Sequence, residues 1–340
     1  MNFGQYSKVN LLKDNSGWVT SLENKALGKT LRKLNIEVIS KKVTTFQACY
    51  FPDKYAAVKQ CKFYNFLGNR LAFDYYHGDP SITPEFVNFF TNLVSKRKNF
   101  QRIRVSHTGI EQLLKNEGFE KQVFRIPIGI DIELFPLQSS KMKEEFRDQL
   151  KIPKTAFVVG SFQKDGNGWR EGNDPKLIKG PDIFLKTLRI LKSRIPELFV
   201  LLTGPARGYV KLGLESLKIP YLHYYPESYD EIYKYYQTLD VYLVASREEG
   251  GPKAILESMA SGIPIISTKV GQAQDLMING LKDFLSESED YESLAENIVS
   301  IYDSNYFAGS IRRDARLVAE KNTYDSQSQL WIDFFEPLLK

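Results

Sequence analysis

The 340-residue sequence contains little of three chemically distinctive residue types: it has two cysteines, three histidines and three tryptophans. Cys49 and Cys61 cannot build a disulfide framework by themselves, and their spacing fits no zinc motif. The shortage argues against the small disulfide-rich secreted class and favours a reducing compartment. No cluster of Asp, His or Cys indicates a bound metal either, so we expect none.

Long apolar runs are also missing. No stretch reaches the ~18 consecutive apolar residues that a membrane-spanning helix requires. The first residues, MNFGQYSKVNLLKDNSGW, do not show the basic start and apolar core of a secretory signal. We therefore expect a cytoplasmic protein, peripheral at most at the inner face of the membrane.

What the sequence does contain suits two ordinary domains, because 42% of its residues are hydrophobic and 26% are charged. Positive charge is concentrated in the front half. Residues 1–136 hold 20 Lys and Arg against 12 Asp and Glu, a net charge of +8, whereas the remainder carries −3. A basic half is suited to an anionic membrane surface, a phosphate-bearing acceptor or a nucleic acid, although solvated surface lysines alone give the same pattern.

One stretch, Asp240 to Gly271, organises the rest of the chain. An apolar run from Val241 to Ala245 predicts a buried strand that ends before a glycine turn. Pro252 is predicted at the first position of a helix that ends at Gly262, and the next strand, PIIST, follows. The stretch therefore reads as a strand, a glycine turn, a helix and a second strand.

Two carboxylates flank that turn, Glu249 in the loop and Glu257 inside the helix. Free N–H groups at the helix start, together with the positive end of its dipole, favour an anion such as a diphosphate. A carboxylate accepts two hydrogen bonds side by side, so Glu257 is a candidate for holding a ribose diol and Glu249 for binding attached hydroxyls. Glutamates are also common near helix starts for purely electrostatic reasons. The turn itself supplies four candidate donor-binding residues: Gly250, Gly251, Pro252 and Lys253.

The order of features in this stretch resembles the donor-binding signature of retaining glycosyltransferases of family 4, which have the GT-B fold. Those features are Glu249, the glycine turn, Glu257, small residues, a Gly-x-Pro and the strand that follows. The family usually has an aromatic residue between the two glycines, whereas Gly250 and Gly251 are adjacent here. The resemblance implies two Rossmann-like, doubly wound α/β domains facing across a cleft, with a C-terminal helix that crosses back to the first domain. It also implies a metal-independent transferase whose co-substrate is a nucleotide-diphosphate-sugar, as in the synthesis of cell-envelope polysaccharides.

Alternating strand and helix patterns support that architecture along most of the chain. Examples are the helices predicted over 84–94 and Gly208–Leu217 and the strand predicted over Tyr221–Tyr224. The segment 105–135 resembles the end of the family's first domain, with a hinge near Gly129 and Asp131. We predict an N-terminal acceptor domain over residues 1–136, a donor domain over 137–322 and a crossing helix over about 323–340. An apolar stripe that includes Leu330, Trp331 and Phe334 has the spacing of that last helix.

The resemblance carries over three further candidate residues. Lys179 precedes a glycine and would neutralise the donor's diphosphate. His77 ends a strand and would contact the transferred sugar or the acceptor. Gly17 lies in the first loop, which faces the donor in the family. We expect Glu249, Lys179 and His77 at the reacting groups, although an ordinary structural histidine or turn glycine fits His77 and Gly17 as well.

The family's usual arginine after the first strand of the donor domain is missing, because Ser161 stands there. Lys164 and Arg170, both in the long loop that follows, are candidates to replace it. Lys164 is counted with the donor-binding residues.

The predicted function is transfer of a hexose-type sugar, with retention of configuration, from a nucleotide-diphosphate-sugar to a saccharide or lipid-linked saccharide. In the family, no protein nucleophile is thought to act, because the departing phosphate takes the acceptor's proton. A non-catalytic nucleotide-sugar-binding module and a GT-B nucleotide-sugar epimerase remain alternatives. No nucleic acid is expected as a partner, since no recognised binding motif accompanies the basic half.

Overall fold

The computed structural model describes residues 8–13, 19–304 and 310–340. Gly17 lies outside these residues. The chain divides into two compact units, one made of Met1–Gly129 with Asn322–Lys340 and the other of Ile130–Lys321. Each unit contains a six-stranded sheet with parallel pairing between neighbouring strands. The predicted pair of α/β units is confirmed.

The sheet of the first unit has the strand order β2-β1-β3-β4-β5-β6. Helices pack on it in the alternating order that parallel strands require. The strands are β1 (Lys8–Leu11), β2 (Glu37–Ile39), β3 (Ala48–Phe51), β4 (Arg70–Tyr75), β5 (Arg102–Val105) and β6 (Val123–Arg125). The helices are α1 (Val19–Lys33), α2 (Lys54–Phe66), α3 (Val87–Ser95) and α4 (Thr108–Asn116), with 3₁₀ turns at Pro84–Phe86 and Arg97–Asn99.

Helix α2 is absent from the sequence-based prediction. Its large apolar residues occur on more than one side, since Tyr64 is buried whereas Phe63 is 51% and Phe66 is 87% exposed. A pattern of that kind lacks the single apolar stripe by which an amphipathic helix is recognised. The predicted helix over 84–94 also differs, because it begins with the 3₁₀ turn at Pro84–Phe86 and continues as α3.

The sheet of the second unit has the order β12-β11-β10-β7-β8-β9. One continuous hydrophobic core lies within this unit. The strands are β7 (Phe157–Ser161), β8 (Leu198–Thr203), β9 (Tyr221–Tyr224), β10 (Val241–Val244), β11 (Ile265–Thr268) and β12 (Leu285–Ser286). The helices are α5 (Ser140–Leu150), α6 (Pro181–Arg194), α7 (Gly208–Leu217), α8 (Ile232–Tyr236), α9 (Lys253–Ser261), α10 (Ala273–Leu276), α11 (Tyr291–Ser304) and α12 (Ser310–Lys321). Four 3₁₀ segments complete it: Ile132–Leu134, Leu177–Lys179, Tyr229–Glu231 and Asn279–Phe284.

The central motif of the second unit forms as predicted, with one correction. The prediction that Pro252 is the first helical residue is wrong. Pro252 is the N-cap of α9, with an extended ψ of 115°, and the helix begins at Lys253. The carbonyl of Pro252 accepts the first helical bond, from the amide of Ile255 at 3.0 Å. At the other end Gly262 terminates α9 in the left-handed conformation.

The last helix, α13 (Ser328–Leu339), belongs to the first unit, as the crossing helix was predicted to do. Trp331, Phe334 and Phe335 are buried on it. Their rings surround Tyr50 of β3 with centroid distances between 5.7 and 6.1 Å. Burial of these aromatic side chains is the main force holding the C-terminal segment to the first sheet, because each removes a large apolar area from water.

A buried group of charges lies in the same unit and is called the Arg104 cluster here: Glu23, Asp74 and Arg104. Their side chains are 2%, 3% and 1% exposed. The Arg104 Nη2 atom lies 3.1 Å from Glu23, and Nη1 lies 3.5 Å from Asp74. Arg104 also donates to the carbonyls of Ile126 at 3.0 Å and Pro127 at 2.8 Å. The cluster therefore ties β4, β5 and α1 to Ile126 and Pro127, which follow β6.

Candidate functional site

The turn that carries Lys179 is fixed by a glycine. Gly180 has a φ of +62°, and a Cβ atom there would lie 1.7 Å from the carbonyl oxygen of Ala245, which follows β10. Only a residue without a side chain permits this approach. The amides of Arg247 and Glu248 both donate to the carbonyl of Ile178, at 2.8 and 3.2 Å. The Leu177–Lys179 turn and the loop after β10 are thus held together.

This packing brings two of the predicted residues into contact. The Lys179 ammonium lies 2.6 Å from Glu249 Oε2, and the two side chains are 22% and 11% exposed. Ser246 Oγ donates to the other carboxylate oxygen of Glu249 at 2.9 Å. The pair is 70 residues apart in sequence, so the fold and not local spacing joins them. It is a partly accessible ion pair at the carboxyl end of a strand, where open parallel sheets bind ligands.

Arg247 fixes the same loop from its other side. Its guanidinium makes a bidentate pair with Asp182 in the first turn of α6, at 2.8 and 2.7 Å, and also contacts Glu289. Burial raises the pKa of the Asp182 carboxyl, but the hydrogen bonds from Arg247 outweigh it, and the pKa is lowered overall. Asp182 therefore stays charged and clamps the Glu249 loop against α6.

Two further lysines add positive charge beside the Lys179–Glu249 pair. Burial lowers the pKa of Lys176, the nearby charges of Lys179 and Lys164 lower it further, and Glu249 raises it in part. Lys164 lies with its ammonium 4.2 Å from the centre of the Trp169 ring. We call Lys164, Lys176, Lys179 and Glu249 the lysine cluster. It has three cationic side chains for one carboxylate, which is suited to binding a multiply charged anion.

Lys176 was missed by the sequence analysis. The only available signal was its position three residues before Lys179, because side chains at i and i+3 of a 3₁₀ turn eclipse each other. The amide of Lys179 donates to the carbonyl of Lys176 at 2.8 Å, which closes that turn.

An arginine does contact Ser161, but it is Arg207, the N-cap of α7, in the segment that follows β8. The Arg207 Nη1 atom donates to the carbonyls of Ser161 at 2.6 Å and Thr203 at 2.9 Å, and Nη2 lies 3.0 Å from Asp165. Both charged side chains are almost completely buried. Burial raises the pKa of Asp165, and Arg207 opposes the shift. Arg207 therefore anchors the base of the 162–180 loop. Arg170, the other candidate considered from sequence, is exposed.

Glu257 is held by two tyrosines that the sequence analysis did not identify. Tyr229 donates its hydroxyl to Oε1, and Tyr236 donates to Oε2 at 2.7 Å. Burial and the charge of Glu257 raise the pKa of Tyr236 well above its usual value, so its hydroxyl stays protonated and donates. Glu257 is 5% exposed. Each carboxylate oxygen has a second lone pair, so the tyrosines orient the group without exhausting its capacity as an acceptor.

The start of α9 provides backbone donors close to these residues in sequence. Gly250, Gly251 and Lys253 are buried, and Pro252 is partly buried. The Lys253 ammonium lies 5.7 Å from the centre of the Tyr229 ring, whose hydroxyl binds Glu257. Lys253 and Glu257 are therefore both next to Tyr229.

His77 lies in the first unit, two residues after β4 ends. Its ring is 5.6 Å from that of Phe86, and its carbonyl accepts a hydrogen bond from Lys54. The Lys54 ammonium also lies 4.5 Å from the ring centres of both Tyr75 and Phe86. These contacts fix the backbone at the end of β4. The proposed contact of His77 with a sugar stays a prediction.

Within the described ranges no group of three His, Cys, Asp or Glu side chains is arranged to hold a metal ion. Among the helices described, none combines the length and apolarity needed to cross a bilayer.

Residues 175–320 match the family model for group 1 glycosyl transferases. The matched range includes Lys176, Lys179, Glu249 and Glu257. Two sequence relatives are a D-inositol 3-phosphate glycosyltransferase of Corynebacterium urealyticum, 26% identical over 57% of this chain and 47% of its own length, and CapM of Staphylococcus aureus. CapM, a capsular polysaccharide biosynthesis glycosyltransferase, is 22% identical over 58% of this chain and 50% of its own length. The chain thus spans about half the length of these relatives.

The crystal structure of Anabaena HepE in complex with UDP and glucose is similar to the whole chain. The TM-score is 0.77 at 17% identity, with 98% of this chain and 100% of HepE covered. Sucrose-phosphate synthase of Thermosynechococcus elongatus has a TM-score of 0.68 at 16% identity, over 96% of this chain and 80% of that protein. The GT-B fold predicted from the sequence is confirmed by these likenesses. The family and sequence matches show that this part of the chain is similar to glycosyltransferases, and the assignment to family 4 stays a prediction.

Proposed function

We propose that this protein is a retaining glycosyltransferase that moves a hexose-type sugar from a nucleotide-diphosphate-sugar to a saccharide or lipid-linked saccharide. The observation that carries the proposal is the lysine cluster. Lys179 pairs with Glu249 beyond the carboxyl end of β10, which lies beside β7 in one parallel sheet, and Lys176 lies close enough to interact electrostatically with Lys179, Lys164 and Glu249. UDP is the first nucleotide to test, because HepE, which shares the fold, was crystallised with UDP and glucose.

The chemistry needs stabilisation of a departing diphosphate. As the bond between the sugar and the phosphate breaks, negative charge grows on the leaving oxygen, and Lys179 is placed to compensate it. We propose that the Lys179 ammonium leaves Glu249 for the phosphate when the donor binds. Lys176, Lys164 and the amides at the start of α9 complete the anion site. Loss of one such contact costs roughly 3 to 4 kcal/mol of barrier, by analogy with oxyanion donors.

In this proposal Glu249 orients hydroxyls of the donor sugar and is not the general base. The departing phosphate takes the proton of the attacking acceptor hydroxyl on the same face, so the new glycosidic bond keeps the donor's configuration. Before the donor binds, the ion pair with Lys179 and the hydrogen bond from Ser246 both orient the Glu249 carboxylate. The hydrogen bond from Ser246 keeps that orientation when Lys179 moves to the phosphate. Glu257, oriented by Tyr229 and Tyr236, accepts hydrogen bonds from the ribose diol.

Lysine ammonium groups and backbone dipoles, in this proposal, supply the positive charge that a divalent ion supplies in other phosphate chemistry. Transfer should therefore continue in the presence of a chelator. His77 is proposed to contact the transferred sugar or the acceptor, since it follows a strand end of the first sheet.

Lys179→Ala tests the proposal directly. We expect kcat/KM for transfer or hydrolysis of a UDP-hexose to fall roughly 100- to 1000-fold, since a donor to the leaving group is removed. Lys186→Ala is the matched control, because Lys186 is an exposed lysine on the helix that begins just after Lys179. Transfer at the unchanged rate in Lys179→Ala would contradict the role of the lysine cluster.

Calorimetry with UDP separates binding from turnover in the same proteins. We expect Glu257→Gln to weaken UDP binding and Glu249→Gln mainly to lower turnover. Unchanged affinity in Glu257→Gln would rule out the ribose contact. UDP binding without any transfer or hydrolysis in the wild-type protein would favour the non-catalytic binding module instead.

A further inference from the structure

Helix α2 exposes an unusual face. At ~100° per residue, Tyr55, Lys59, Lys62, Phe63 and Phe66 all fall within an arc of about 100°. The three aromatic side chains are 51%, 51% and 87% exposed, and both lysines are exposed as well. The sequence of α2, KYAAVKQCKFYNF, contains no acidic residue. The exposed side of the helix thus combines aromatic rings with positive charge.

The loop between β2 and β3 extends this exposed face beyond the C-terminal end of α2. Val43 and Phe46 are 55% and 54% exposed. The Phe46 amide donates to the carbonyl of Leu67 at 3.2 Å, and a Cβ atom on Gly68 would lie 2.6 Å from the Phe46 ring. The ring of Phe46 therefore packs directly over the residues that follow Phe66.

Basic residues adjoin the same helix on another side. The Asn65 side chain donates to the carbonyl of Asn99 at 3.1 Å, and the Lys96 ammonium donates to the carbonyl of Val58 at 2.9 Å. These bonds hold the run Lys96-Arg97-Lys98 against α2. Arg97 and Lys98 are exposed.

Acidic residues are nearly absent from this region. Between Ser40 and Gly68 the chain has five lysines and a single acid, Asp53. Asp53 caps the start of α2, and its carboxylate accepts from the Tyr55 amide, so it lies at the opposite end of the helix from Phe66. We call the exposed side chains of Val43, Phe46, Tyr55, Lys59, Lys62, Phe63 and Phe66 the α2 surface. Its charge is complementary to an anionic partner, and its rings favour an apolar one.

We propose that the α2 surface binds the surface of a membrane that contains anionic lipids. Phe46, Phe63 and Phe66 enter the boundary between headgroups and acyl chains, while Lys59 and Lys62 contact the headgroups. An exposed helix face that combines large rings with lysines offers the two contacts by which proteins bind anionic membrane surfaces, which are apolar insertion and attraction to the headgroups. A nucleic-acid duplex is less well matched, because the phenyl rings of Phe63 and Phe66 have no hydrogen-bonding atom with which to contact a base edge in a groove. The proposal does not depend on the transferase activity proposed above.

Flotation of the purified protein with lipid vesicles tests the inference, without donor or acceptor present. We expect binding to phosphatidylcholine vesicles that contain phosphatidylglycerol and much weaker binding to pure phosphatidylcholine. Phe63→Ser with Phe66→Ser should lower the partition coefficient at least about tenfold, because two exposed rings no longer enter the interface. Lys59→Gln with Lys62→Gln should lower it roughly 25-fold at low salt, about fivefold for each lysine.

The matched control is the second unit's Tyr225→Ser with Lys282→Gln, which removes an exposed ring and an exposed lysine elsewhere. We expect this control to bind vesicles like the wild-type protein. Because the altered side chains are exposed, all variants should unfold at nearly the same temperature, and a thermal scan checks this. Equal vesicle binding by the control and both α2 variants would overturn the proposal. Binding to a DNA duplex but not to vesicles would overturn it in favour of a nucleic-acid surface.

Discussion

Each unit of the molecule contains a cluster of charged side chains, and the two clusters are built in opposite ways. In the Arg104 cluster the side chains are at most 3% exposed, and the guanidinium donates to two carbonyls, a tyrosine and a carboxylate. In the lysine cluster Lys179 and Glu249 are 22% and 11% exposed, and each makes its charged contact with the other. The first cluster is closed by protein groups, whereas the second is accessible to an external anion.

The balance of positive and negative charge also differs between the two clusters. One arginine faces two carboxylates in the Arg104 cluster, and burial raises the pKa of Asp74 to about 6 although Arg104 opposes the shift. Three lysines face one carboxylate in the lysine cluster, and burial together with its lysine neighbours lowers the pKa of Lys176. Excess positive charge at an accessible place destabilises the protein slightly until an anion binds. The comparison indicates a structural role for the first cluster and a binding role for the second.

The largest expected effect on stability comes from removing the cation of the Arg104 cluster. Arg104→Met should lower the free energy of unfolding by roughly 3 to 5 kcal/mol, because it leaves Asp74 and Glu23 buried without their cation. Urea unfolding followed by circular dichroism measures the loss. Arg102→Met is the matched control, since Arg102 is on the same strand but only partly buried, and its loss should stay near 0.5 kcal/mol. Similar losses in both variants would mean that the Arg104 cluster is not a special source of stability.

A second experiment uses the titration of the closed cluster. Burial raises the pKa of Asp74 from its usual value of 3.8 to about 6 in the folded protein. Its raised pKa contributes stability that is fully present below about pH 4 and is lost as the pH rises through 6, on the order of 3 kcal/mol in total. The difference in unfolding free energy between wild type and Asp74→Asn should therefore decrease between those pH values.

Urea unfolding at several pH values measures that difference. Asp325→Asn serves as the control, because the Asp325 side chain is 67% exposed and should give no pH-dependent difference. Parallel pH profiles for wild type and Asp74→Asn would show that Asp74 does not titrate in this range.

Most of the fold could be predicted from the sequence, because local patterns determine it. The predicted helix Gly208–Leu217 and strand Tyr221–Tyr224 match the structure to the residue. Each has a regular apolar pattern between clear turn signals, and α13 likewise follows from its apolar stripe. Helix α2 could not be predicted in this way, since aromatic residues occupy its exposed face as well as its buried one.

The candidate site was only partly predictable. Lys179, Glu249 and Glu257 were identified from motifs, but the groups that position them come from distant parts of the chain. Tyr229 and Tyr236 reach Glu257 from 28 and 21 residues away, and Arg207 reaches Ser161 across 46 residues. Such contacts depend on how strands are ordered in the sheet, which local spacing does not encode.

The smallest expected effect is that of replacing Lys176. Comparing it with replacement of Lys164 tests which lysine takes the place of the family's missing arginine. Lys176→Gln should weaken UDP binding about five- to tenfold, since one charged hydrogen bond is lost while repulsion from Lys179 and Lys164 is relieved. Binding of uridine, which has no phosphate, should not change. Lys164→Gln is the comparison, because Lys164 is the candidate that the sequence favoured. Calorimetry with UDP and uridine distinguishes the two lysines. A loss of UDP affinity in Lys164→Gln alone would restore the sequence-based assignment. A loss of UDP affinity in both variants would mean that the diphosphate contacts the cluster as a whole.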